Sequence, residues 1–177
     1  MRTIEDILSL FPGTTESDWK KHENGGGWVQ ITANVGATCR IEGIVSGNAQ
    51  VFGNAQVFGD AQVSGNAQVS GNARVSGNAQ VFGDAQVSGN ARVFGNAQVF
   101  GDAQVFGDAW GISPLQIQGS VHFATNCKFG HISIGCEVHT FAEWKTNFRS
   151  IGKKHGYTEA QIEEYGAIID LFCKIGK

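Results

Sequence analysis

The pattern of apolar and polar positions repeats every six residues from Val45 to Trp110. Eleven copies of the unit V-[FS]-G-[ND]-A-[QRW] follow one another without insertion or deletion. Ala and Val alternate with a polar residue, as in Ala49-Gln50-Val51, so both face one side of a short strand. The Gly-Asn or Gly-Asp pair that follows is typical of a turn. Each unit therefore predicts one short strand and one corner.

Repetition at a fixed period is the signature of a solenoid, in which each unit buries its apolar face against its neighbours. The unit resembles the hexapeptide repeat of the left-handed parallel β-helix family, with an aliphatic residue at position one (Val51) and a small residue at position five (Ala55). The resemblance covers roughly residues 29–129. It implies an all-β solenoid, a left-handed parallel β-helix whose triangular coils contain three units each.

Three capping boxes outside the repeat predict helices. The first, Thr3 to Asp6, opens a short helix that we expect to plug the open end of the solenoid. The others, Thr140 to Glu143 and Thr158 to Gln161, open a C-terminal helical hairpin. Its apolar face is expected to cover the last coil of its own chain or the flank of a neighbouring copy. The predicted domains are an N-terminal helical cap and linker at 1–27, the left-handed β-helix at 28–134 and the helical hairpin at 135–177.

The repeat frame is interrupted after Trp110 and returns at Ile117. One six-residue unit therefore has a different sequence but the same length as the others. We expect Phe123 and Phe129 to take the core position of Val, and the ladder of coils to continue to Ile134.

Stacked coils place residues eighteen apart next to each other, about 4.8 Å apart. Position six then forms one column of Gln56, Arg74, Arg92 and Trp110, whereas the other two columns contain only Gln. Position two also points outward and carries six phenylalanines, Phe52, Phe58, Phe82, Phe94, Phe100 and Phe106. So much outward apolar surface favours self-association. Together with the habit of the family it predicts a homotrimer, and the alternative is a monomer whose Phe side chains lie over the corners.

Composition narrows the classes of partner. The formal net charge of −3 gives no basic field for nucleic acid. Neither a signal peptide nor an apolar run of about 18 residues is visible, so we expect no membrane partner. A cytoplasmic protein with reduced thiols is predicted.

Many members of the hexapeptide family are acyltransferases that use coenzyme A and a histidine as general base. Their coils often extrude a loop beside that histidine. The repeat from Val45 to Trp110 contains neither a loop nor a histidine. An acyltransferase would need His122, His131 or His139, with coenzyme A as cofactor. Otherwise we expect no catalytic residue and no cofactor.

The densest cluster of Cys and His is Cys127, His131, Cys136 and His139. Such ligands suit tetrahedral zinc, but the spacing matches no zinc module, and Cys127 is in phase with buried Ala. No metal is predicted. His131 and His139 are either polar groups at a sheet edge or ligand contacts.

Arg74, Arg92 and Trp110 form a candidate ligand site, because two guanidinium groups can hold a phosphate and an indole can stack on a planar ring. The alternative is two solvated arginines within a Gln ladder. Lys145 and Arg149 lie one helical turn apart and form a second candidate for contacting an anion. The alternative is that these two side chains lie on a helix face that contacts only water.

Three functions follow. The favoured one is a non-catalytic trimer that binds a small anionic, nucleotide-like ligand in grooves between subunits. The tail from Ile132 to His139 is similar to tails of small uncharacterised phage and prophage proteins, which implies a sequestering role and a phage origin. The alternatives are an acyltransferase dependent on acyl-coenzyme A, and an assembly protein that binds a protein partner through exposed Phe columns.

Overall fold

The computed structural model describes residues 2–107, 109–110 and 113–176. The chain forms two compact units. The first comprises Met1–Asp102 with Phe106–Ser113, and the second Ala103–Val105 with Pro114–Lys177.

The first unit is a solenoid of short parallel strands, which confirms the predicted β-solenoid fold. The strands are β1 (Trp19–Lys21), β2 (Trp28–Gln30), β3 (Asn34–Val35), β4 (Arg40–Ile41), β5 (Ile44–Val45), β6 (Gln50–Val51), β7 (Gln56–Val57), β8 (Gln62–Val63), β9 (Gln68–Val69), β10 (Arg74–Val75), β11 (Gln80–Val81), β12 (Gln86–Ser88), β13 (Arg92–Val93), β14 (Gln98–Val99), β15 (Gln104–Phe106) and β16 (Ala109–Trp110). Within the first unit every third strand pairs in parallel, so three sheets form with the orders β2-β5-β8-β11-β14, β3-β6-β9-β12 and β4-β7-β10-β13-β16. Residues 104 and 105 of β15 belong to the second unit. The left-handed sense of the coil stays a prediction.

Small apolar side chains fill the interior of the solenoid. Ala49, Val51 and their equivalents through Val99 are fully buried, as the alternation predicted. The corners need glycine for two reasons. Gly53 has φ +70°, a region that disfavours side chains, and a Cβ there would lie 2.9 Å from the carbonyl oxygen of Gly71 in the next coil. The corner amides also stack, since Asn72 Nδ2 donates to Asn90 Oδ1 at 3.2 Å.

The N-terminal helix caps the first coil, as predicted. Helix α1 (Ile4–Leu10) begins at the Thr3–Asp6 capping box. Its buried Ile7 packs in one cluster with Trp19 and Ile44. The sequence analysis missed the short 3₁₀-helix Glu16–Asp18 and the antiparallel pairing of β1 with β2.

The second unit contains an antiparallel sheet, which corrects the predicted course of the chain after Trp110. The strands β17 (Gln116–Gln118), β18 (Phe123–Lys128), β19 (His131–Ile134) and β20 (Glu137–Thr140) pair with their neighbours in chain order. The prediction that the coils continue to Ile134 is therefore wrong, and so is the core position assigned to Phe129, which is 50% exposed. The physical reason is tight turns: β18 and β19 are joined by Phe129-Gly130, and Gly130 has φ +72°.

The C-terminal hairpin consists of α2 (Phe141–Lys154) and α3 (Glu159–Ile175), both opened by the predicted capping boxes. Its apolar face covers the antiparallel sheet of its own unit, where Trp144, Tyr165 and Phe172 pack with Ile132 and Ala124. The sheet thus takes the place of the last coil or neighbouring copy that the sequence analysis expected beneath the hairpin.

Candidate functional site

One face of the solenoid carries the predicted arginine column. Arg74 pairs in register with Gln56 on one side and Arg92 on the other. The register then differs from the prediction, because Ala109 lies beside Arg92, and Trp110 lies beside Val93. The role of Trp110 in a ligand site stays a prediction. The side chain of Trp110 lies outside the described part of the chain.

Arg74 and Arg92 differ from the other arginines in their partners. Arg2 pairs with Asp60 at 2.8 Å, Arg40 with Glu42 at 2.7 Å and Arg149 with Glu163 at 2.6 Å. No carboxylate of the described residues forms an ion pair with Arg74 or Arg92, and both are exposed. Two like charges thus lie directly opposite each other in the ladder without a counter-charge, which is unfavourable.

The corners beside this arginine pair are neutral. They carry Asn72 and Asn90 on one side, and Asn78 and Asn96 on the other. In each pair the amide of one coil donates to the next at 3.2 Å. The four corner residues that flank Arg74 and Arg92 in their own coils therefore add no carboxylate beside the guanidinium groups.

The arginine pair borders a surface groove of about 440 Å³, lined by Phe58, Arg74, Ser76, Arg92 and Phe94. Phe94 is 42% exposed and Phe58 is half-buried. Arg40, which belongs to the same column as Arg74, has its Cζ 5.8 Å from the centre of the Phe58 ring. The groove therefore combines two aromatic walls with two guanidinium groups that pair with no described carboxylate.

The six phenylalanines at position two all point outward, as predicted: none is buried, and Phe52, Phe94 and Phe100 are among the exposed apolar residues. Phe82 and Phe100, one coil apart, stack with their ring centres 5.5 Å apart and an interplanar angle of 14°. Their role in a trimer interface stays a prediction.

The three histidines considered for catalysis all lie in the second unit. His122 Nδ1 is 2.6 Å from the Tyr157 hydroxyl. His131 Nδ1 lies 2.9 Å from the carbonyl oxygen of Phe129, and His139 Nε2 lies 3.0 Å from Glu137 Oε2. His139 also packs edge-on against Trp144, with ring centres 5.0 Å apart. Each histidine thus has a structural partner within its own unit.

Across residues 2–107, 109–110 and 113–176, no three Cys, His, Asp or Glu side chains are grouped to hold a metal ion. Cys127 is buried within β18, and Cys136 is exposed in the turn before β20. The cluster of two Cys and two His in the sequence is therefore not a cluster in space.

The sequence analysis missed a charged centre at Glu137. Its carboxylate lies 2.8 Å from His155 Nε2, 3.0 Å from Lys154 Nζ and 3.0 Å from His139 Nε2. Hydrogen bonds from His155, Lys154 and His139 lower the pKa of Glu137 from 4.5 to about 2. The run of His and Lys at the end of α2 was the only signal, and the pairing depends on the β20 strand that was not predicted.

The cations of α2 face acidic residues of α3. Lys145 Nζ is 3.4 Å from Asp170 Oδ1, Arg149 pairs with Glu163, and Lys153 Nζ is 3.3 Å from Glu159 Oε1. Lys145 and Arg149 therefore have partners within the hairpin, unlike Arg74 and Arg92, which form no ion pair with any described carboxylate. Beneath the hairpin a cavity of about 50 Å³ is lined mainly by apolar side chains, with His122 and Tyr157 among its polar ones.

The coils are similar to a known repeat. Residues 49–65, 67–83 and 85–101 match the model of the YdcK Beta solenoid repeat. These stretches form the stacked parallel coils of the first unit, so sequence and structure both support a β-solenoid repeat family. No curated protein and no solved structure matched the chain. No helix within the described residues has the length and apolar character to cross a membrane.

Proposed function

We propose that the protein is a non-catalytic binding protein whose solenoid holds a small anionic, nucleotide-like ligand. One observation carries the proposal: Arg74 and Arg92 lie side by side without a carboxylate partner among the described residues, in a groove with Phe58 and Phe94. A phosphate between the two guanidinium groups would remove their repulsion and accept hydrogen bonds from both. A planar group would pack on the aromatic walls.

The proposal includes self-association into a trimer, through outward phenylalanines other than the two that line the groove. Phe52, Phe82, Phe100 and Phe106 lie at position two of the other two columns. A closed ring of three copies uses two different surfaces of each subunit, which these two columns provide. Phe58 and Phe94 are thereby assigned to the ligand groove, at the edge of the contact between subunits. The ligand is held and released without chemical conversion.

Native mass spectrometry tests both parts in one measurement. The protein is sprayed alone, and then with adenosine monophosphate or pyrophosphate as probe. We expect the protein to have the mass of three chains. With a probe present, the trimer should gain the mass of one or more bound probe molecules, and the double variant R74Q/R92Q should show no such gain. Glutamine is the matched replacement, because it occupies position six in most units.

Two results would contradict the proposal. A monomer that binds the probes would remove the trimer and keep the binding site. A protein that takes up neither probe, or whose R74Q/R92Q variant binds them equally well, would remove the binding function. A trimer without ligand would then favour an assembly protein whose phenylalanines contact a protein partner.

A further inference from the structure

The position-two column beside the arginine pair has an unusual order. Phe58, Ser76 and Phe94 follow one another at intervals of one coil. Phe82 and Phe100, in the next column, are direct neighbours and stack at 5.5 Å. In the third column Phe52 and Phe106 are separated by two serines, Ser70 and Ser88. The arrangement of two aromatic rings around a single serine therefore occurs at one place on the repeat. It lies beside Arg74 and Arg92, which pair with no described carboxylate.

We infer that the gap over Ser76 is a slot for one planar aromatic ring, which belongs to the same ligand whose phosphate binds Arg74 and Arg92. This inference rests on the proposed function and specifies its ligand. Phe58 and Phe94 are two coils apart, about 9.6 Å along the stack. A ring midway lies about 4.8 Å from each, within the range of stacked aromatic pairs. The observed 5.5 Å between Phe82 and Phe100 shows that one coil brings two rings into contact.

The outer side of the stack is already closed. Arg40 Cζ lies over the Phe58 ring at 5.8 Å, and Arg40 belongs to the coil on the opposite side of Phe58 from Ser76. Ser76 is half-buried and contributes a small hydroxyl side chain to the groove. With a ligand bound, the column would consist of the Arg40 guanidinium group, the Phe58 ring, the ring of the ligand and the Phe94 ring.

The arginines determine where the anion must sit relative to that ring. Arg74 and Ser76 are two residues apart on one strand face, as are Arg92 and Phe94. The two guanidinium groups therefore reach the level of the slot from one side. The ligand class is a ring with a phosphate one sugar length away, such as a nucleoside monophosphate unit. A linear polyphosphate or a sugar phosphate would leave the slot empty.

The substitution Ser76→Phe tests the slot, because it places a third ring where the ligand ring would stack. Phenylalanine occupies position two in six of the eleven units, so the coil accepts it. The matched control is Ser70→Phe, which adds the same side chain at the equivalent position of the column of Phe52 and Phe106. Because the proposal assigns that column to the contact between subunits, native mass spectrometry first verifies that the variant has the oligomeric state of the wild type. Unchanged thermal unfolding by circular dichroism verifies the fold of both variants. Calorimetric titration then compares adenosine monophosphate with ribose 5-phosphate, which has the phosphate and sugar but no aromatic ring.

We expect the wild type to bind adenosine monophosphate roughly tenfold or more tightly than ribose 5-phosphate, in keeping with the usual strength of base stacking on aromatic side chains. Ser76→Phe should lower adenosine monophosphate affinity to that of ribose 5-phosphate and leave the latter within about threefold, whereas Ser70→Phe changes neither. Equal wild-type affinities for the two probes, or a Ser76→Phe variant with unchanged preference, would overturn the slot while the arginine site stands. Absence of binding of both probes, or binding that survives R74Q/R92Q, would overturn the proposed function itself and the slot with it.

Discussion

Arg74 and Arg92 are direct neighbours in a parallel ladder, one coil apart, and no described carboxylate pairs with either. Glutamine occupies most equivalent positions of the repeat, so the coil does not require arginine there. Among the described residues, the two neighbouring positive charges thus have no paired counter-charge. This imbalance links the fold to the binding function we propose.

Replacing Arg92 by Gln should stabilise the ligand-free protein. It removes a like-charge contact worth about 0.2–1 kcal/mol between directly opposite residues. Urea unfolding at low ionic strength should show the gain, and added salt should reduce it, since salt screens exposed charges. Arg40→Gln is the matched control, and it should not stabilise, because Arg40 already pairs with Glu42. A loss of stability in Arg92→Gln would mean that the arginine has a partner within the protein.

The corner glycines should differ in their tolerance of alanine. Gly53 and Gly59 both have positive φ, +70° and +63°, so both variants incur the left-handed strain of about 1–2 kcal/mol. A Cβ at Gly53 would lie 2.9 Å from the Gly71 carbonyl oxygen, whereas at Gly59 the nearest atom, the Gly77 carbonyl oxygen, is 3.4 Å away. Gly53→Ala should therefore unfold at lower urea concentration than Gly59→Ala. Equal midpoints would show that close approach of neighbouring coils adds nothing to the strain.

Burial and hydrogen bonding should make the Tyr165 hydroxyl contribute more to the free energy of unfolding than the Tyr157 hydroxyl. The Tyr165 hydroxyl donates to the carbonyl of His122 at 2.7 Å and accepts from the backbone N–H groups of Val121 and His122. Tyr165→Phe leaves these backbone groups without their partner and should cost about 1–3 kcal/mol. Tyr157→Phe, which loses a contact with the exposed His122 ring, should cost less. Equal losses in urea unfolding would contradict this ranking.

Glu137 should make the second unit sensitive to acid. Its pKa in the folded protein, about 2, lies below the reference value of 4.5, with the hydrogen bond from His155 as the largest cause. The ionised carboxylate therefore stabilises the fold fully above pH 4.5, and this contribution disappears as the pH falls from 4.5 toward 2. Glu137→Gln should be less stable than the wild type at pH 6, and the difference should shrink at pH 3.

Glu163→Gln is the control for that comparison. Glu163 is 62% exposed in its pair with Arg149, and exposed ion pairs contribute little. Urea midpoints at both pH values should therefore stay near those of the wild type. A gap between wild type and Glu137→Gln that is the same at pH 6 and pH 3 would contradict the role of the ionised carboxylate.

Local patterns were predictable from the sequence, and non-local pairings were not. The capping boxes at Thr3, Thr140 and Thr158 depend on residues three apart, and all three open helices. The repeat period specifies which strand pairs with which, so the neighbours of Arg74 followed directly. Beyond Trp110 the period ends, and the antiparallel sheet depends on turns such as Phe129-Gly130. The interpretation of those residues as further coils ignored that turn signal.

The candidate site was predictable in part. The two arginines and the outward phenylalanines followed from the columns. The slot over Ser76 could also have been predicted from the sequence, because only one position-two column has the order Phe, Ser, Phe. The place of Trp110 was not predictable, because the one-residue shift beside Val93 arises where the repeat is interrupted.

The most direct test of the account is calorimetric titration of adenosine monophosphate into the wild type, R74Q/R92Q and a double control, Q68R/Q86R. The control keeps Arg74 and Arg92 and adds two arginines in another column, so it raises the positive charge of the repeat by two without altering the proposed site. We predict binding with the wild type, none with R74Q/R92Q, and wild-type affinity with the control at its original site. Equal affinity of the wild type and R74Q/R92Q would contradict the claim that Arg74 and Arg92 hold the anion.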